Sequence, residues 1–515
     1  MGGTSALETS SRLTLKALFV PALERFGDRV AVVEDGVSTS YGQLGDQANR
    51  LANVLHDLGV GPGVPVAFLM SNRVEFLVAD QAVVRLGAIK VPLNTMLSPA
   101  EVTGVLRDSG AKVAIVEATQ LQNLDRTLTP DLDHVITVDD NGVTPGQAFQ
   151  ALLAMASADE PPETGVSPDD VGLLMYTGGT TGRPKGIVHT QSALAINLLS
   201  HIIEANLVDD ERMLLTSPLP HSAGFLAQAG LLKGAAVFLE ARFDPDEVLE
   251  RIERDRITFT FMVPTMIYRL LDRADAQHRD LSSLRTLLYG AAPIALERLA
   301  QGLHRLGPVF MQLYGQSEAP NFLTRLTKDD HDLTRPQKLA SCGRPVALMD
   351  VAVLAQDGSE VPAGQPGEIC ARGPYVMSGY HGLPDKTAET LQGGWLHTGD
   401  LGYADGDGYV YLLDRKHDMI ITGGLNVYST EVENALVQHA DVAQVAVVGI
   451  PHPDWGEAVV AFIIPAPEAE LKEADLAEHC KAELTSYKRP KAFRSLSELP
   501  VTAYGKVDKK ALRAA

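Results

Sequence analysis

One run of eleven residues, Tyr176-Thr177-Gly178-Gly179-Thr180-Thr181-Gly182-Arg183-Pro184-Lys185-Gly186, has a composition that favours ligand binding over packing. Its glycines allow positive φ angles and a close approach of the backbone to a ligand. Exposed backbone N–H groups in such a turn form a concave anion site, and the threonine hydroxyls add donors. Lys185 and Arg183 add positive charge. The run therefore predicts a loop that binds a polyphosphate, and the alternative interpretation is a Gly/Thr-rich surface linker.

The same run differs from the Walker A phosphate loop. That pattern needs Gly-Lys followed by Ser or Thr at the start of a helix. Here Lys185 follows Pro184 and precedes Gly186, and a proline disfavours helical structure in the residue before it. We therefore expect a phosphate loop that is not followed by a helix.

A second candidate site follows the apolar run that ends at Leu313. The residues Tyr314-Gly315-Gln316-Ser317-Glu318 combine an aromatic ring, a hydroxyl and a carboxylate. A Mg²⁺ ion prefers one or two carboxylates together with phosphate oxygens, so Glu318 is a candidate metal ligand. Tyr314 could stack on a purine. The alternative is a capped turn with Ser317 in front of a helix.

Two further polar residues have weaker signals. Asp400, in Trp395-Leu396-His397-Thr398-Gly399-Asp400, could accept hydrogen bonds from both ribose hydroxyls, although an Asp in a Gly turn is usually only an Asx-turn. Lys506 is one of nine basic residues, against three acidic ones, between positions 481 and 515. By itself it is most simply a solvated surface lysine.

The elements that must position these residues alternate between strands and helices. Helical spacing at Val74–Leu86 lies between apolar strands, and Asp244 is a candidate N-cap for a helix that begins with Pro245. This alternation predicts βαβ units and a largely parallel sheet, in which ligands lie beyond the carboxyl ends of strands. Short β segments with Gly and Pro turns follow from about residue 341 to 413, and a compact α+β unit comes last. The predicted strands are 64–70, 88–93, 112–117, 171–175, 235–240, 257–262, 285–289, 308–313, 443–450 and 459–464, and the other predicted helices are 430–439 and 474–484, with a hairpin at Asp35-Gly36.

Composition narrows the class of protein. The 515 residues carry a formal net charge of −21, which argues against wholesale nucleic-acid binding. Cys342, Cys370 and Cys480 are far apart and form no CxxC pair, which suits a reducing cytoplasm rather than a disulfide or zinc framework. No signal peptide is evident and no 18-residue apolar run exists, so we expect a cytoplasmic protein without a membrane span.

Taken together, these motifs resemble those of the acyl-adenylate-forming superfamily, which includes acyl- and aryl-CoA synthetases, luciferases and peptide-synthetase adenylation domains. The resemblance runs from about Leu15 to Val507 and includes Tyr-Gly-x-Ser-Glu, Thr-Gly-Asp and Pro-x-Thr-x-x-Gly-Lys motifs in the family order. The segment from Ile420 to Glu433 looks most like ligases of the 4-chlorobenzoate, 4-coumarate and medium-chain acyl groups. Two departures are Gly178, where Ser is usual, and His417, where the hinge residue is usually Asp or Lys.

The resemblance implies a role for each motif residue. The phosphates would bind Thr177, Gly178, Gly179, Thr180, Thr181, Gly182 and Lys185, and the nucleoside would bind Gly290, Ala291, Ala292, Tyr314, Gly315 and Ser317. It further implies ribose binding by Asp400 and Arg415, Mg²⁺ binding by Glu318, pantetheine contact by Gly423 and Gly424, a hinge at His417, and catalysis by Lys506, Glu318, Thr181 and Lys185. His221 would lie at the mouth of an acid pocket, whose expected lining is Phe225, Met262, Val263, Gly290, Gly315 and Asn321. His189 is expected to be structural.

The resemblance also implies a fold and a reaction. The fold would be α/β, with an N-terminal domain at 1–414 that contains parallel-sheet subdomains and a β-rich subdomain near 341–413, a hinge at 415–417, and a small mobile α+β lid at 418–515. The reaction would be ATP-dependent ligation of an aryl, arylpropenoic or medium-chain acid to CoA through an acyl-AMP, in a monomer or homodimer. The alternatives are transfer to a carrier protein or amine, activation of another oxyanion such as nitrite, and a non-catalytic nucleotide-binding regulator.

Overall fold

The structure is a computed structural model, and it describes residues 13–139, 147–177, 185–273, 279–416, 418–466, 469–501 and 507–514. Gly178, Gly179, Thr180, Thr181, Gly182, His417 and Lys506 lie outside the described residues.

The strands are numbered in chain order. They are β1 (Val30–Glu34), β2 (Val37–Ser40), β3 (Pro65–Leu69), β4 (Ile89–Leu93), β5 (Val113–Glu117), β6 (His134–Val138), β7 (Gln147–Ala148), β8 (Val171–Thr177), β9 (Lys185–Thr190), β10 (Arg212–Leu215), β11 (Ala236–Leu239), β12 (Phe259–Met262), β13 (Thr286–Tyr289), β14 (Phe310–Gln316), β15 (Ala319–Leu326), β16 (Arg344–Pro345), β17 (Asp350–Leu354), β18 (Gly367–Arg372), β19 (Gly379–Tyr380), β20 (Leu396–Ala404), β21 (Val410–Arg415), β22 (Ile420–Thr422), β23 (Leu425–Val427), β24 (Val442–His452), β25 (Gly456–Pro465) and β26 (Ala492–Ser495).

The α-helices are numbered in the same way. They are α1 (Leu15–Arg25), α2 (Tyr41–Asp57), α3 (Val74–Leu86), α4 (Pro99–Ser109), α5 (Phe149–Met155), α6 (Gln191–Glu204), α7 (Ser222–Lys233), α8 (Pro245–Arg254), α9 (Pro264–Leu271), α10 (Leu296–Leu306), α11 (Pro336–Leu339), α12 (Pro384–Thr390), α13 (Ser429–Leu436), α14 (Glu473–Glu483) and α15 (Lys509–Ala514), with short 3₁₀ turns at Ala118–Asn123 and Gln392–Gly394.

Two large sheets form the first part of the chain. Within the described residues one has nine strands in the order β16-β15-β14-β13-β12-β10-β11-β1-β2, and the other has eight in the order β19-β9-β8-β4-β3-β5-β6-β7. Their interiors are parallel, as the alternating pattern predicts, whereas the edges at β2, β15, β16, β9 and β19 are antiparallel. A buried cluster that includes residues of α1, α3, α6 and α7 packs between these sheets. The α/β fold class is confirmed.

Two smaller sheets follow in the chain. Strands β17-β18-β20-β21 form an antiparallel sheet, which is the β-rich region expected from the Gly and Pro turns. Strands β23-β22-β25-β24, with β26 beside β25, form the last sheet, and it packs with α13 and α14 around a core of its own. β16 and β19 come from the expected β-rich region but join the two large sheets instead. Among the described residues no helix is long and apolar enough to cross a membrane.

Local signals explain several boundaries. Helix α3 spans the predicted residues and ends at Gly87, whose φ of 63° lies in the left-handed region. Helix α8 begins after Asp244, whose carboxylate accepts from the N–H groups of Asp246 and Glu247. The alternative of a helix after Ser317 is wrong, because Glu318 lies in the tight turn between β14 and β15.

Candidate functional site

The stem of the predicted phosphate loop is an antiparallel hairpin. Thr177, the last residue of β8, pairs with Lys185, the first residue of β9. Tyr176 is buried and its hydroxyl donates to Asp108 over 2.7 Å. A Cβ on Gly186 would lie 2.9 Å from the Tyr176 ring, so glycine at this position allows the ring to pack closely against β9. Because Lys185 begins a strand, the prediction that no helix follows this loop is confirmed.

Glu318 lies beside this stem. Its Oε1 accepts a 2.7 Å hydrogen bond from the Tyr380 hydroxyl, and its carbonyl accepts from the Met377 N–H. Tyr380 belongs to β19 and pairs with Ile187 of β9, two residues after Lys185. The connection from Lys185 through β19 to Glu318 brings the phosphate-loop stem next to the candidate metal ligand.

His189 forms a hydrogen bond with the turn that contains Glu318. Its ring is 1% exposed, and burial lowers its pKa to about 4, so the ring is neutral at pH 7. Nε2 lies 2.8 Å from the Ser317 carbonyl oxygen, to which it donates. This arrangement fits the structural role expected for His189.

Asp400 is buried within β20 of the small antiparallel sheet, with 6% of its surface exposed. The Tyr314 hydroxyl donates to its Oδ2 over 2.7 Å, and Arg415, its cross-strand neighbour in β21, places Nε 3.3 Å from Oδ1. Burial, followed by the charge of Asp400, raises the pKa of Tyr314 well above its usual value, so the phenol remains a donor. Tyr314, Asp400 and Arg415 therefore lie in contact with one another. Tyr314 was predicted to stack on the purine, and its hydroxyl also contacts the Asp400 carboxylate.

Two glycines allow neighbouring strand ends to approach closely. A Cβ on Gly290, directly after β13, would lie 2.6 Å from the Leu313 carbonyl oxygen, and one on Gly315 would lie 2.6 Å from the Asn321 backbone. Ala291 adopts a left-handed φ of 66°, and both it and Ala292 are exposed. The backbone after β13 is thus turned outward next to Tyr314, which suits a flat ligand lying against it.

The expected acid pocket contains uncharged side chains. Phe225 and Met262 are buried, and the ring of Phe225 stacks at 5.9 Å on His201. His201 is fully buried and burial lowers its pKa to about 4. Its Nδ1 donates to the Asn197 carbonyl over 2.7 Å, while Nε2 lies 2.8 Å from Asn321 Nδ2, which donates to it.

His221 lies directly before α7, which begins at Ser222. Its Nε2 lies 3.2 Å from Asn94 Nδ2, one residue beyond the end of β4. This contact places the expected gate residue between the two large sheets, near the start of the helix that contains Phe225.

The C-terminal residues form a different kind of surface. Gly423 and Gly424 are the two central residues of the β22–β23 turn, with φ of 59° and 78°, and both are exposed. This geometry is that of a hairpin turn in which both positions favour glycine. The Gly423 N–H donates to the Trp455 carbonyl over 2.8 Å, which fixes the turn on its own sheet.

Sequence reasoning missed three residues of the site. Asn94 could have been found, because it follows a predicted strand and strand ends were expected to carry polar function. Tyr380 and His201 had no such signal. Their partners, Glu318 and Asn321, are 62 and 120 positions away, and only the fold brings them together.

Comparison with known proteins gives two family matches. The family model described as AMP-binding enzyme matches residues 19–381, and that of the AMP-binding enzyme C-terminal domain matches residues 431–506. The chain is 39% identical to the medium/long-chain-fatty-acid–CoA ligase FadD8 of Mycobacterium tuberculosis, over 96% of this chain and 89% of that protein. It is 39% identical to a feruloyl-CoA synthase of Amycolatopsis, over 94% and 95%.

Two solved structures are also similar. The amide bond synthetase McbA from Marinactinospora thermotolerans is 32% identical with a TM-score of 0.88, over 97% of this chain and 99% of that one. The anthranilate CoA ligase AuaEII, solved in complex with anthranoyl-AMP, is 28% identical with a TM-score of 0.89, over 97% and 96%.

Proposed function

The chain belongs to the AMP-binding enzyme family and is an AMP-forming ligase of the acyl-CoA synthetase class; we propose that it joins an aryl, arylpropenoic or medium-chain carboxylic acid to CoA. In the first half-reaction a carboxylate oxygen of the acid attacks the α-phosphorus of ATP, and acyl-AMP and pyrophosphate form. In the second, the CoA thiol attacks the acyl carbonyl, AMP leaves with the C–O bond electrons, and the thiol proton passes to solvent. The observation that carries the proposal is the convergence of Lys185, Glu318 and Asp400 through Tyr380 and Tyr314.

Each polar group in this convergence has a proposed task. Asp400 accepts hydrogen bonds from the ribose hydroxyls, with Arg415 beside it, and the turned backbone at 290–292 borders the adenine. Lys185 and the loop residues Thr177 to Gly182, Thr181 among them, bind the phosphates. Lys506 places its charge near the α-phosphate, where negative charge develops during displacement.

Glu318 is the proposed ligand of Mg²⁺. Its Oε1 is oriented by the Tyr380 hydroxyl, and Oε2 accepts no hydrogen bond from the described residues. A half-buried carboxylate with one oxygen available suits a hard cation that otherwise coordinates phosphate oxygens and water. When bound, the ion would neutralise phosphate charge.

The acid pocket supports an uncharged substrate tail. Phe225 and Met262 are apolar, and His201 is neutral because burial lowers its pKa to about 4. The flat stacking of Phe225 on His201 favours an aromatic or extended apolar tail. A free ammonium group, as in an amino acid, would find no carboxylate among the residues proposed to line the pocket.

We also propose the domain division that the sequence suggested. Residues 1–414 form the adenylating part with a β-rich subdomain near 341–413, residues 415–417 the hinge, and residues 418–515 the lid. The separate core around the last sheet supports this division. The three free cysteines support a cytoplasmic location, and the assembly is proposed as a monomer or homodimer.

An amine acceptor is the second candidate, because one similar solved structure is an amide bond synthetase. A panel of aryl, arylpropenoic and medium-chain acids, assayed for pyrophosphate release with and without CoA, tests both candidates. We expect acid-dependent pyrophosphate release, and CoA-dependent turnover that yields AMP and a thioester. Turnover with amines but not with CoA would favour the amide reaction, and no pyrophosphate release with any acid would refute adenylation.

A further inference from the structure

Three side chains with metal-binding atoms meet on the small sheet without a part in the proposed reaction. Cys370 in β18 pairs directly with His397 in β20, and Glu368 lies two residues before Cys370, with a register irregularity between them. Residues two apart on a strand point to the same face, so the pairing brings all three together. Cys370 Sγ lies 3.5 Å from His397 Nδ1, which lies 3.2 Å from Glu368 Oε2. The three ligand atoms are all within 4.8 Å of one another.

We propose that Glu368, Cys370 and His397 form a binding site for Zn²⁺ or a similar thiophilic divalent cation. Thiolate, imidazole and carboxylate are the ligands that zinc takes in proteins, whereas Mg²⁺ takes oxygen ligands. Tetrahedral zinc with ordinary bond lengths separates sulfur from nitrogen by ~3.6 Å and nitrogen from oxygen by ~3.3 Å. The distances of 3.5 Å and 3.2 Å match these two edges, and the remaining sulfur–oxygen pair lies within 4.8 Å.

The carboxylate of Glu368 is already oriented for this role. The Gly399 N–H donates to Oε1 over 3.1 Å, which leaves Oε2 turned toward His397. Side-chain exposure of 15% for Glu368 and 23% for His397 gives the site access to solvent. Cys370 is fully buried behind them, so a water molecule would complete the coordination on the exposed side.

One positive charge competes with the cation. Lys416 Nζ lies 3.4 Å from Glu368 Oε2, but its side chain is 65% exposed and can turn away into solvent. An exposed ion pair of this kind contributes little free energy, so it does not block the site. Cation binding therefore exchanges Lys416 for the metal as the partner of Glu368, in the strand that pairs with the Asp400 strand.

A cobalt titration tests the site directly in the full-length, reduced protein. Co²⁺ replaces Zn²⁺ in such sites, and a thiolate ligand adds an intense near-ultraviolet charge-transfer band that an oxygen-only site lacks. Excess Mg²⁺ is included to compete for oxygen-ligand sites, such as the one proposed at Glu318. We expect a band that saturates at one Co²⁺ per chain and disappears when Zn²⁺ is added.

Variants assign the band to residues. Cys370→Ser abolishes it, and His397→Gln and Glu368→Gln weaken Co²⁺ binding by at least the ~10-fold that loss of an outer-shell partner costs. Lys416→Ala strengthens binding, because it removes the competing charge. Cys480→Ser, in the last domain, is the matched control and leaves the band unchanged.

The results that would contradict the proposed metal site are also specific. The absence of a charge-transfer band, or its persistence in Cys370→Ser, would overturn the proposal. If Cys370→Ser does not fold, His397→Gln decides, since it keeps the buried thiol. An unchanged Co²⁺ affinity in that variant would refute the site.

Discussion

The two carboxylates of the nucleotide site and the glycine turn of the C-terminal sheet are built in opposite ways. Asp400 and Glu318 each accept a 2.7 Å hydrogen bond from a phenol of a distant strand. Gly423 and Gly424 are exposed, and the Gly423 N–H donates to the Trp455 carbonyl in the loop between β24 and β25 of the same sheet.

This difference indicates a division of labour. Oriented carboxylates in a partly buried site need no reorganisation when charge develops, which is where electrostatic catalysis is most effective. The exposed turn belongs to a small sheet with a core of its own, which supports the proposal that it moves relative to the site as part of a rigid lid. We therefore interpret the first region as the fixed centre and the second as the exchangeable one.

Among the residues that the structure describes, the largest effect is expected at Glu318. Glu318→Gln keeps the shape but removes the charge that holds the proposed Mg²⁺. Pyrophosphate release should fall by about 10²–10³-fold, as for loss of a principal electrostatic group. The matched control is Glu360→Gln, an exposed carboxylate near β17, which should retain full activity. Equal rates in the two variants would contradict the fixed centre.

Next in size is a steric change between strand ends. Gly290→Ala places a Cβ 2.6 Å from the Leu313 carbonyl oxygen, so the backbone beside Tyr314 must move. A displacement of this order costs about 10²-fold in rate, and ATP-dependent pyrophosphate release measures it. Gly61→Ala has no atom within 4 Å of the new Cβ and serves as control. Normal activity of Gly290→Ala would show that this approach is unimportant.

Smaller losses are expected at the two phenols. Tyr314→Phe and Tyr380→Phe leave the rings but remove the hydrogen bonds to Asp400 and Glu318. A hydrogen bond to a charged group contributes ~1.5–3 kcal/mol, so kcat/KM for ATP should fall at least about 10-fold in each. Tyr403→Phe, on the same small sheet as Asp400, is the comparison. A fall in Tyr403→Phe as large as in the other two would remove the distinction.

The smallest expected effect is on folding stability and comes from the buried histidine His201. His201 has a folded pKa of about 4 against a usual value near 6.5, so the unfolded chain binds the extra proton. The contribution of the neutral His201 ring to the free energy of unfolding is complete above pH 6.5 and is lost as the pH falls toward 4. Between pH 7 and pH 5 the contribution of His201 to the unfolding free energy should fall by about 2 kcal/mol. Denaturant unfolding of wild type and His201→Gln at both pH values measures it.

The exposed His304 provides the control for that experiment. His304→Gln should leave the pH dependence of unfolding as it is in the wild type. If His201→Gln also shows the wild-type pH dependence of unfolding, the buried neutral ring of His201 does not cause that dependence, and another group does.

Sequence reasoning succeeded where the determinant is local. The boundaries of α3, the cap at Asp244 and the turn at Asp35-Gly36 depend on neighbouring residues, and the structure confirms them. The motif residues were also identified, because their residue types are unusual for packing. Long-range partners could not be predicted from the sequence. Tyr380 of β19 pairs with Ile187 of β9, which lies 193 positions earlier in the chain (380 − 187), and this pairing places its hydroxyl against Glu318.

The measurement that tests the division of labour most directly separates the two half-reactions in Lys506→Ala and Gly424→Leu. Acyl-AMP formation is followed by pyrophosphate release, and thioester formation is followed from supplied acyl-AMP and CoA. We predict that Lys506→Ala loses the first and largely keeps the second, while Gly424→Leu, at a φ of 78° on the exposed turn, does the reverse. Equal loss of both half-reactions in each variant would contradict the exchange of two C-terminal faces at one fixed centre.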